Sequence, residues 1–253
     1  MDLGLGGAIA VVTGGVRGVG RGISEVLVEA GATVIACARR RPEDDVPGVE
    51  FHACDVRDPE QVQAMTTAVV ARHGSLDLVV NNAGGAPHTD AATASPRLHA
   101  KVVELNLLAP LIVAQAANSV MQRQATGGSI VMVSSVSGHR ASPGTAAYGA
   151  AKAGLDNLVA SLAVEWAPKV RVNSVVAGMV RTEQAHLHYG DEAAIAAVGA
   201  TVPLGRLAEP AEIGRCVAFL ASPLASYVSG STLTAHGGGE VPAFLAAARV
   251  EGC

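Results

Sequence analysis

Short runs of β-branched and other apolar residues alternate with longer stretches of helical pattern along this chain of 253 residues. The apolar runs predict strands at 8–12, 33–37, 49–53, 76–80, 129–133, 170–176 and 232–234. The stretches between them predict helices at about 18–30, 59–73, 97–123, 148–166 and 211–220. Strands that are apolar throughout and separated by helices are typical of a mostly parallel sheet covered on both faces. With right-handed crossovers, this order predicts a doubly wound α/β fold.

The predicted elements follow one another without an internal repeat, a low-complexity linker or any sign of a second domain. We therefore expect a single domain over residues 1–253. Asp58 followed by Pro59 is a favourable helix start, and Gly31 is a favourable helix stop. Residues 182–202 are the least regular part of the chain, and we expect an insertion there over one end of the sheet.

Composition excludes several classes of protein. Apolar residues make up 49% of the chain and the net charge is only −4, which argues against disorder and against a nucleic-acid partner. The uncharged stretches 105–122 and 216–235 are interrupted by polar and helix-breaking residues, unlike a membrane span. Residues 1–7 lack a signal-peptide pattern, and the four cysteines have no paired spacing, so we expect free thiols. These observations predict a cytoplasmic protein with no membrane partner.

A glycine-rich motif, Thr-Gly-Gly-Val-Arg-Gly-Val-Gly at 13–20, directly follows the first predicted strand and opens a helix. Ligands in such sheets bind beyond the carboxyl ends of the strands, where a helix N-terminus offers free N–H groups to phosphate. Glycines there let the backbone approach a diphosphate closely. The motif predicts a dinucleotide site, and the alternative is a glycine-rich turn without a ligand.

Further motifs follow in a fixed order. Asn-Asn-Ala-Gly at 81–84 comes after the fourth strand, Asn106 lies in the long helix, and Ser135 follows the fifth strand. Tyr148 comes 13 residues after Ser135 and starts a Tyr-x-x-x-Lys motif that ends at Lys152. With the Thr-Gly-x-x-x-Gly-x-Gly spacing, the chain resembles the short-chain dehydrogenase/reductase family over nearly its whole length. The resemblance implies a Rossmann-like fold, a nicotinamide dinucleotide cofactor, and hydride exchange with a secondary alcohol or ketone.

The resemblance also implies specific cofactor contacts. Asp55, after strand three, would hold the adenine amino group, and 81–84 would close the adenine side of the site. Val180 and Thr182 would contact the nicotinamide amide. The complete set of expected cofactor residues is Gly14, Arg17, Gly18, Val19, Gly20, Arg39, Asp55, Val56, Asn82, Ala83, Gly84, Tyr148, Lys152, Gly178, Val180 and Thr182. The chain departs from the family where Ala177 replaces a usual proline and His236 replaces a common aspartate.

Four residues are expected to carry the chemistry. Tyr148 and Lys152 are four apart and so share a helix face, where the ammonium and an oxidised nicotinamide would lower the pKa of the tyrosine. Lys152 would also hold the nicotinamide ribose, Ser135 would stabilise the substrate oxygen, and Asn106 would hold a relay water. In the alternative interpretation, Tyr148 and Lys152 are ordinary helix residues and Asn106 is a buried structural amide. Ser134 is a second candidate for the catalytic serine, and the 13-residue spacing to Tyr148 favours Ser135.

The end of the second strand bears on the choice of cofactor. An acidic residue there would bind the ribose 2′-hydroxyl of NAD(H), whereas arginine suits the extra phosphate of NADP(H). The chain has Ala38 at that position, followed by Arg39, and Arg17 in the glycine-rich loop faces the same region. We therefore expect NADP(H) to be preferred over NAD(H), unless both arginines are merely solvated.

The sequence thus predicts an NADP(H)-dependent oxidoreductase acting on a small carbonyl or alcohol, and a homo-oligomer, tetramer or dimer. A 3-oxoacyl thioester reductase and a steroid or ring-ketone dehydrogenase are open alternatives, with 182–202 as the substrate loop. A different class, a non-catalytic NADP(H) sensor or scaffold, would usually lack the tyrosine or the lysine. His186 and His188 have no accompanying metal ligands, so no metal is expected. The roles of His88, His139 and His236 stay unassigned.

Overall fold

One parallel sheet organises the molecule, in a computed structural model that describes residues 2–247. Its seven strands lie in the order β3-β2-β1-β4-β5-β6-β7, and every neighbouring pair is parallel. The strands are β1 (Ile9–Thr13), β2 (Thr33–Ala38), β3 (Val49–Ala53), β4 (Leu78–Asn81), β5 (Gly128–Ser135), β6 (Val170–Ala177) and β7 (Thr232–Ala235). The order reverses direction between β1 and β4, which makes that pair the switch point of a doubly wound sheet. The predicted single-domain, Rossmann-like α/β fold is confirmed.

Helices cover both faces of the sheet. They are α1 (Gly18–Glu29), α2 (Pro59–His73), α3 (Pro96–Val103), α4 (Ala109–Met121), α5 (Ala146–Glu165), α6 (His186–Tyr189), α7 (Glu192–Gly199), α8 (Pro210–Ala221) and α9 (Ala243–Ala247). Alternate strand residues point to opposite faces, so Val11 packs into a core with α2, α4 and α5, whereas Val12 packs into a core with α1 and α8. Both cores are built mainly from aliphatic side chains, and the first also contains Trp166.

Local sequence signals explain where α2 begins and ends. The Asp58 carboxylate accepts hydrogen bonds from the backbone N–H groups of Glu60 and Gln61, at 3.0 and 3.3 Å, and Pro59 occupies the first turn. Gly74 closes the helix at φ 87°, in the left-handed region. The helix occupies the predicted bounds because both of its ends are coded locally.

Three predicted segments differ from the structure. Strand β4 begins at Leu78 because the N–H and C=O of Leu76 bond the Gln124 side chain, at 2.8 and 3.0 Å, rather than a neighbouring strand. The long helix is not uniform, because a π-helical turn at Glu104–Leu108 separates α3 from α4. The segment 182–202 is partly regular and contains α6 and α7.

Helical residues Pro96–Met121 have a mean hydropathy of 1.4 over an 18-residue window, enough in length and composition to cross a membrane. In this fold 39% of that window is buried, and Val113, Ala117 and Met121 pack into the core beside the sheet. Cys37, Cys54 and Cys216 are free thiols, and Cys253 lies outside the described residues.

Candidate active site

The glycine-rich loop and the 81–84 segment meet at the switch point, where β1 and β4 end. The buried Thr13 hydroxyl accepts hydrogen bonds from the N–H groups of Asn82 and Ala83, both at 2.9 Å. The Asn82 amide returns hydrogen bonds to the carbonyls of Thr13 and Gly14, at 2.9 and 3.3 Å. The two segments therefore hold each other in place at the carboxyl edge of the sheet.

The loop has a shape that only glycine permits. A Cβ at Gly20 would lie 2.1 Å from the Gly14 carbonyl oxygen and 2.4 Å from Asn82 Nδ2, and Gly14 itself has φ 64°. The loop delivers the chain into α1 at Gly18, whose first-turn N–H groups have no partners within the helix. Free N–H groups, the positive end of a helix dipole and close backbone approach fit the diphosphate of a dinucleotide.

A carboxylate from a segment distant in sequence accepts a hydrogen bond from the N-terminus of α1. The backbone N–H of Gly18 donates to both carboxylate oxygens of Glu183, at 3.0 and 3.2 Å. Glu183 follows Thr182, whose methyl group also lies beside Gly18. An anion therefore occupies one of the N–H groups that a diphosphate would need.

Replacing Glu183 by glutamine is expected to tighten the binding of a dinucleotide such as NADPH about fivefold, because the charged competitor for the Gly18 N–H is lost. The matched control is Glu192→Gln, which removes a carboxylate at the start of α7 that pairs with Arg181 instead, at 2.8 Å. Dissociation constants from NADPH fluorescence would measure both. Equal affinity in wild type and Glu183→Gln would mean that the carboxylate does not compete with the cofactor.

On the adenosine side, Ala38 ends β2, and both Arg39 and Arg17 are exposed. Neither arginine forms a side-chain ion pair among residues 2–247. Asp55 pairs with Arg57 at 2.6 Å, and this contact is the main reason that the pKa of Asp55 falls to about 2. Its carboxylate is thus already engaged, while Val56 is buried in the core.

Ser135, Tyr148 and Lys152 come together beyond the end of β5. Ser135 ends the strand, and Tyr148 and Lys152 lie in the first two turns of α5. Ser135 lies close enough to Tyr148 to lower the pKa of its hydroxyl, and Lys152 Nζ lies 5.6 Å from the centre of the Tyr148 ring. Gly84 is close to the same ammonium, since a Cβ there would be 3.6 Å from Lys152 Nζ. The same Cβ would be 2.7 Å from Asn106 Oδ1, so the structure brings all four expected catalytic residues close together.

Burial controls the charges at this site. It raises the pKa of Tyr148, and the neighbouring Ser135 hydroxyl offsets only part of that rise. Burial also lowers the pKa of Lys152 to about 8, and its ammonium donates to the Val133 carbonyl at 2.7 Å. Among the described side chains, Lys152 is not one of the groups that shift the pKa of Tyr148, and the expected lowering of that pKa by Lys152 together with an oxidised nicotinamide stays a prediction.

Asn106 lies in the π-helical turn and is fully buried. Its amide group donates to the carbonyls of Gly85 and Val102, at 2.9 and 2.8 Å, and its oxygen accepts from the Gly85 N–H at 2.8 Å. The side chain thus anchors the segment after 81–84, as the alternative structural reading proposes. The relay water expected at this residue stays a prediction.

The nicotinamide side is built from the end of β6. Gly178 donates to the Ala235 carbonyl at 2.9 Å, and a Cβ there would lie 2.7 Å from His236 Cα. His236 therefore packs against Gly178. Val180 forms a bridge to Ala208, and Thr182 leads into Glu183 beside the glycine-rich loop.

Charged and titratable side chains from three segments influence one another and Tyr148. Arg140 pairs with Glu240 at 2.5 Å, and both act on the pKa of Tyr189, which burial raises. Tyr189 in turn contributes to the raised pKa of Tyr148. His88 packs over Gly144, where a Cβ would lie 2.1 Å from His88 Nε2.

Histidines elsewhere were predicted not to bind metal. His186 Nδ1 lies 3.1 Å from the Glu183 carbonyl, and His188 is exposed. Across residues 2–247, no group of three His, Cys, Asp or Glu side chains is close enough to hold a metal ion. His139 instead contacts Asp156, with 2.9 Å between Nε2 and Oδ2.

Sequence reasoning missed Thr13, Glu183 and Asp156. Thr13 opens the quoted glycine-rich motif, so its position could have drawn attention. Glu183 and Asp156 belong to no motif. Glu183 accepts a hydrogen bond from Gly18, 165 positions away in the sequence, and Asp156 accepts one from Ser134, 22 positions away. Only the fold brings them to the site.

Comparisons with known proteins agree with this geometry. The family described as Enoyl-(Acyl carrier protein) reductase matches residues 14–240. A 3-oxoacyl-(acyl-carrier-protein) reductase of Vibrio cholerae is 36% identical, over 92% of this chain and 98% of its own. A 3alpha-hydroxysteroid dehydrogenase of Mediterraneibacter gnavus is 35% identical, over 90% and 95%. The aldohexose dehydrogenase structure from Thermoplasma acidophilum matches with a TM-score of 0.87 at 30% identity, over 92% and 94%. The chain belongs to the short-chain dehydrogenase/reductase family and is a nicotinamide-dependent oxidoreductase of alcohol and ketone groups.

Proposed function

We propose that the protein is an NADP(H)-dependent reductase of ketones, or dehydrogenase of secondary alcohols, with Tyr148 as its acid/base. The observation that carries the proposal is the meeting of Ser135, Tyr148 and Lys152 beside a glycine-rich loop shaped for a dinucleotide. Bound there, the nicotinamide ring would supply or accept the hydride. The glycine-rich loop and the 81–84 segment would hold the dinucleotide, with Val180 and Thr182 at its nicotinamide end.

The charge states favour reduction at neutral pH. Since the pKa of Tyr148 is raised, its hydroxyl carries a proton that it can donate to a carbonyl oxygen. Ser135 would donate a hydrogen bond to the same oxygen and stabilise the charge that develops there. Lys152, with a pKa of about 8, can restore the proton to the phenolate and be recharged through a water held near Asn106.

The preference for NADP(H) is supported by charge at the end of β2. Ala38 offers no carboxylate to a ribose 2′-hydroxyl, and the exposed Arg39 and Arg17 have no ion-pair partner among residues 2–247. Guanidinium groups bind phosphate through charge-assisted hydrogen bonds. Both arginines would face the 2′-phosphate of the cofactor.

Arg39→Ala is expected to weaken NADPH binding about tenfold and to leave NADH binding unchanged, since a charged hydrogen bond contributes on the order of 1.5 kcal/mol. Arg123→Ala is the control, because this exposed arginine follows α4 at the opposite edge of the sheet. Titration of each variant with both cofactors would measure the change in preference. A variant that loses affinity for NADPH and NADH equally would refute phosphate recognition by Arg39.

The proposal is tested by following NADPH and NADH consumption with a panel of substrates. The panel contains simple ketones, 3-oxoacyl thioesters, steroid ketones and an aldohexose-derived lactone, because relatives of this chain act on several such classes. Turnover with NADPH would establish the enzyme and its substrate class. Tight NADPH binding without turnover of any carbonyl would favour the sensor or scaffold reading.

We also propose a cytoplasmic homo-oligomer, a tetramer or dimer. Exposed apolar side chains support the assembly: Val164 on α5 is 81% exposed, and Phe244 near the described C-terminal end is 68% exposed. Large apolar groups in such positions are typical of subunit contacts.

A further inference from the structure

Asp156 is a nearly buried carboxylate that the proposed chemistry does not use. Its side chain is 12% exposed and lies on α5, one helical turn after Lys152. One carboxylate oxygen, Oδ2, accepts from the Ser134 hydroxyl at 2.8 Å, and the other, Oδ1, accepts from the Ser174 hydroxyl at 2.7 Å. His139 Nε2 lies 2.9 Å from Oδ2, a hydrogen bond when that nitrogen carries a proton. One carboxylate thus links α5 to β5, to β6 and to the loop after β5.

These contacts fix the relation between the two elements that carry the catalytic groups. Two hydrogen bonds join α5 to the end of β5. Lys152 Nζ donates to the Val133 carbonyl, and the Ser134 hydroxyl donates to the Asp156 carboxylate. Ser135 is the next residue of the strand, and its side chain points to the opposite face from that of Ser134. Holding Ser134 therefore sets the direction in which Ser135 meets Tyr148.

Asp156 also supplies charge. The charged or titratable groups that face it are Lys152, from its own helix, and His139, from the loop after β5; β6 contributes only the Ser174 hydroxyl. Burial lowers the pKa of Lys152, and the negative charge of Asp156 opposes that effect. A buried ammonium without a nearby carboxylate would lose its proton more readily.

We propose that Asp156 is a positioning residue of the active site, which holds Ser135 and Tyr148 in register through Ser134 and Ser174 and keeps the Lys152 side chain charged. The proposal rests on the proposed function, because it assigns Asp156 to the chemistry of Ser135, Tyr148 and Lys152. Its first test needs no substrate and no cofactor. Failure of this proposal is therefore distinguishable from failure of the proposed function.

The test is a titration of the lysine side chains by NMR in the ligand-free protein. The chain has only three lysines, at 101, 152 and 169, so the signal of Lys152 can be assigned by one substitution, Lys152→Arg. In Asp156→Asn, which keeps the shape and removes the charge, we expect the midpoint of Lys152 to move down by about one pH unit. The control is Glu165→Gln, which removes an exposed carboxylate from the same helix and should leave the midpoint unchanged.

Activity provides the second readout. Asp156→Asn is expected to lower kcat about tenfold with little change in the KM for NADPH, and to move the alkaline limb of the kcat profile for ketone reduction to lower pH, together with the Lys152 midpoint. Asp156→Glu should restore part of both. An unchanged Lys152 midpoint together with wild-type kcat would overturn the proposal. If Asp156→Asn does not fold, Ser174→Ala decides: reduced kcat at unchanged NADPH affinity supports positioning, and wild-type kcat overturns it.

Discussion

Tyr148→Phe is expected to lower kcat about a thousandfold and to leave the affinity for NADPH within about threefold of wild type, since positioned proton transfer contributes roughly 10²–10⁴ to the rate. The substitution removes only the hydroxyl beside Ser135, in a side chain that is otherwise held by burial. The ring stays beside Lys152, so the shape of the opening is kept. Steady-state NADPH oxidation and equilibrium NADPH binding would measure the two effects separately.

Tyr227→Phe is the matched control, because its hydroxyl belongs to a fully exposed ring outside the site. It should behave like wild type in both measurements. Near wild-type turnover in Tyr148→Phe would mean that another group, or water, delivers the proton. Loss of NADPH binding along with turnover would instead assign the Tyr148 hydroxyl a structural part in the cofactor site.

The sheet could be predicted from the sequence because its central strands are apolar on both faces and most strands are followed by a helix, some with local end signals. Asp58 and Gly74 at the ends of α2 are such signals, and the helix has the predicted bounds. Predicted strand boundaries were wrong where a side chain distant in sequence determines the backbone hydrogen bonds. The sequence predicts Leu76 to be part of a strand, but its backbone N–H donates to the Gln124 side chain instead, at 2.8 Å.

The π-helical turn shows a second limit of local pattern. Its five residues, Glu104–Leu108, continue the apolar helical pattern of their neighbours, so nothing in the composition distinguishes them. Asn106 is fully buried because the wider turn directs its amide towards Gly85. The residue itself could be selected by its place among the motifs, but the backbone that presents it could not.

The candidate site also has features that the sequence could predict and features that it could not. Spacing identified Ser135, Tyr148 and Lys152, which the fold brings together. Spacing could not give the balance of charge there, because the pKa of Tyr148 depends on how deeply its ring is buried. The same holds for Glu183, which reaches the Gly18 N–H only once residues 182–202 fold over the sheet edge.

Gly20→Ala is expected to weaken NADPH binding about a hundredfold and to lower Tm by roughly 3–10 °C, because forcing a methyl group into a packed turn costs about 1–3 kcal/mol. The new Cβ would lie 2.1 Å from the Gly14 carbonyl oxygen, so the glycine-rich loop must move away from α1. That movement would separate the N–H groups that together fit a diphosphate. Calorimetric titration with NADPH and thermal unfolding would measure the two effects.

The control for this prediction is Gly6→Ala, since a Cβ at Gly6 has no neighbouring atom within 4 Å. This variant should keep both the wild-type NADPH affinity and the wild-type Tm, which would exclude a general effect of adding a methyl group. A fall in Tm with unchanged NADPH affinity in Gly20→Ala would place the diphosphate away from the turn between β1 and α1. A fall in affinity with little change in Tm would instead locate the diphosphate on that turn, because the loop then moves at the expense of binding alone.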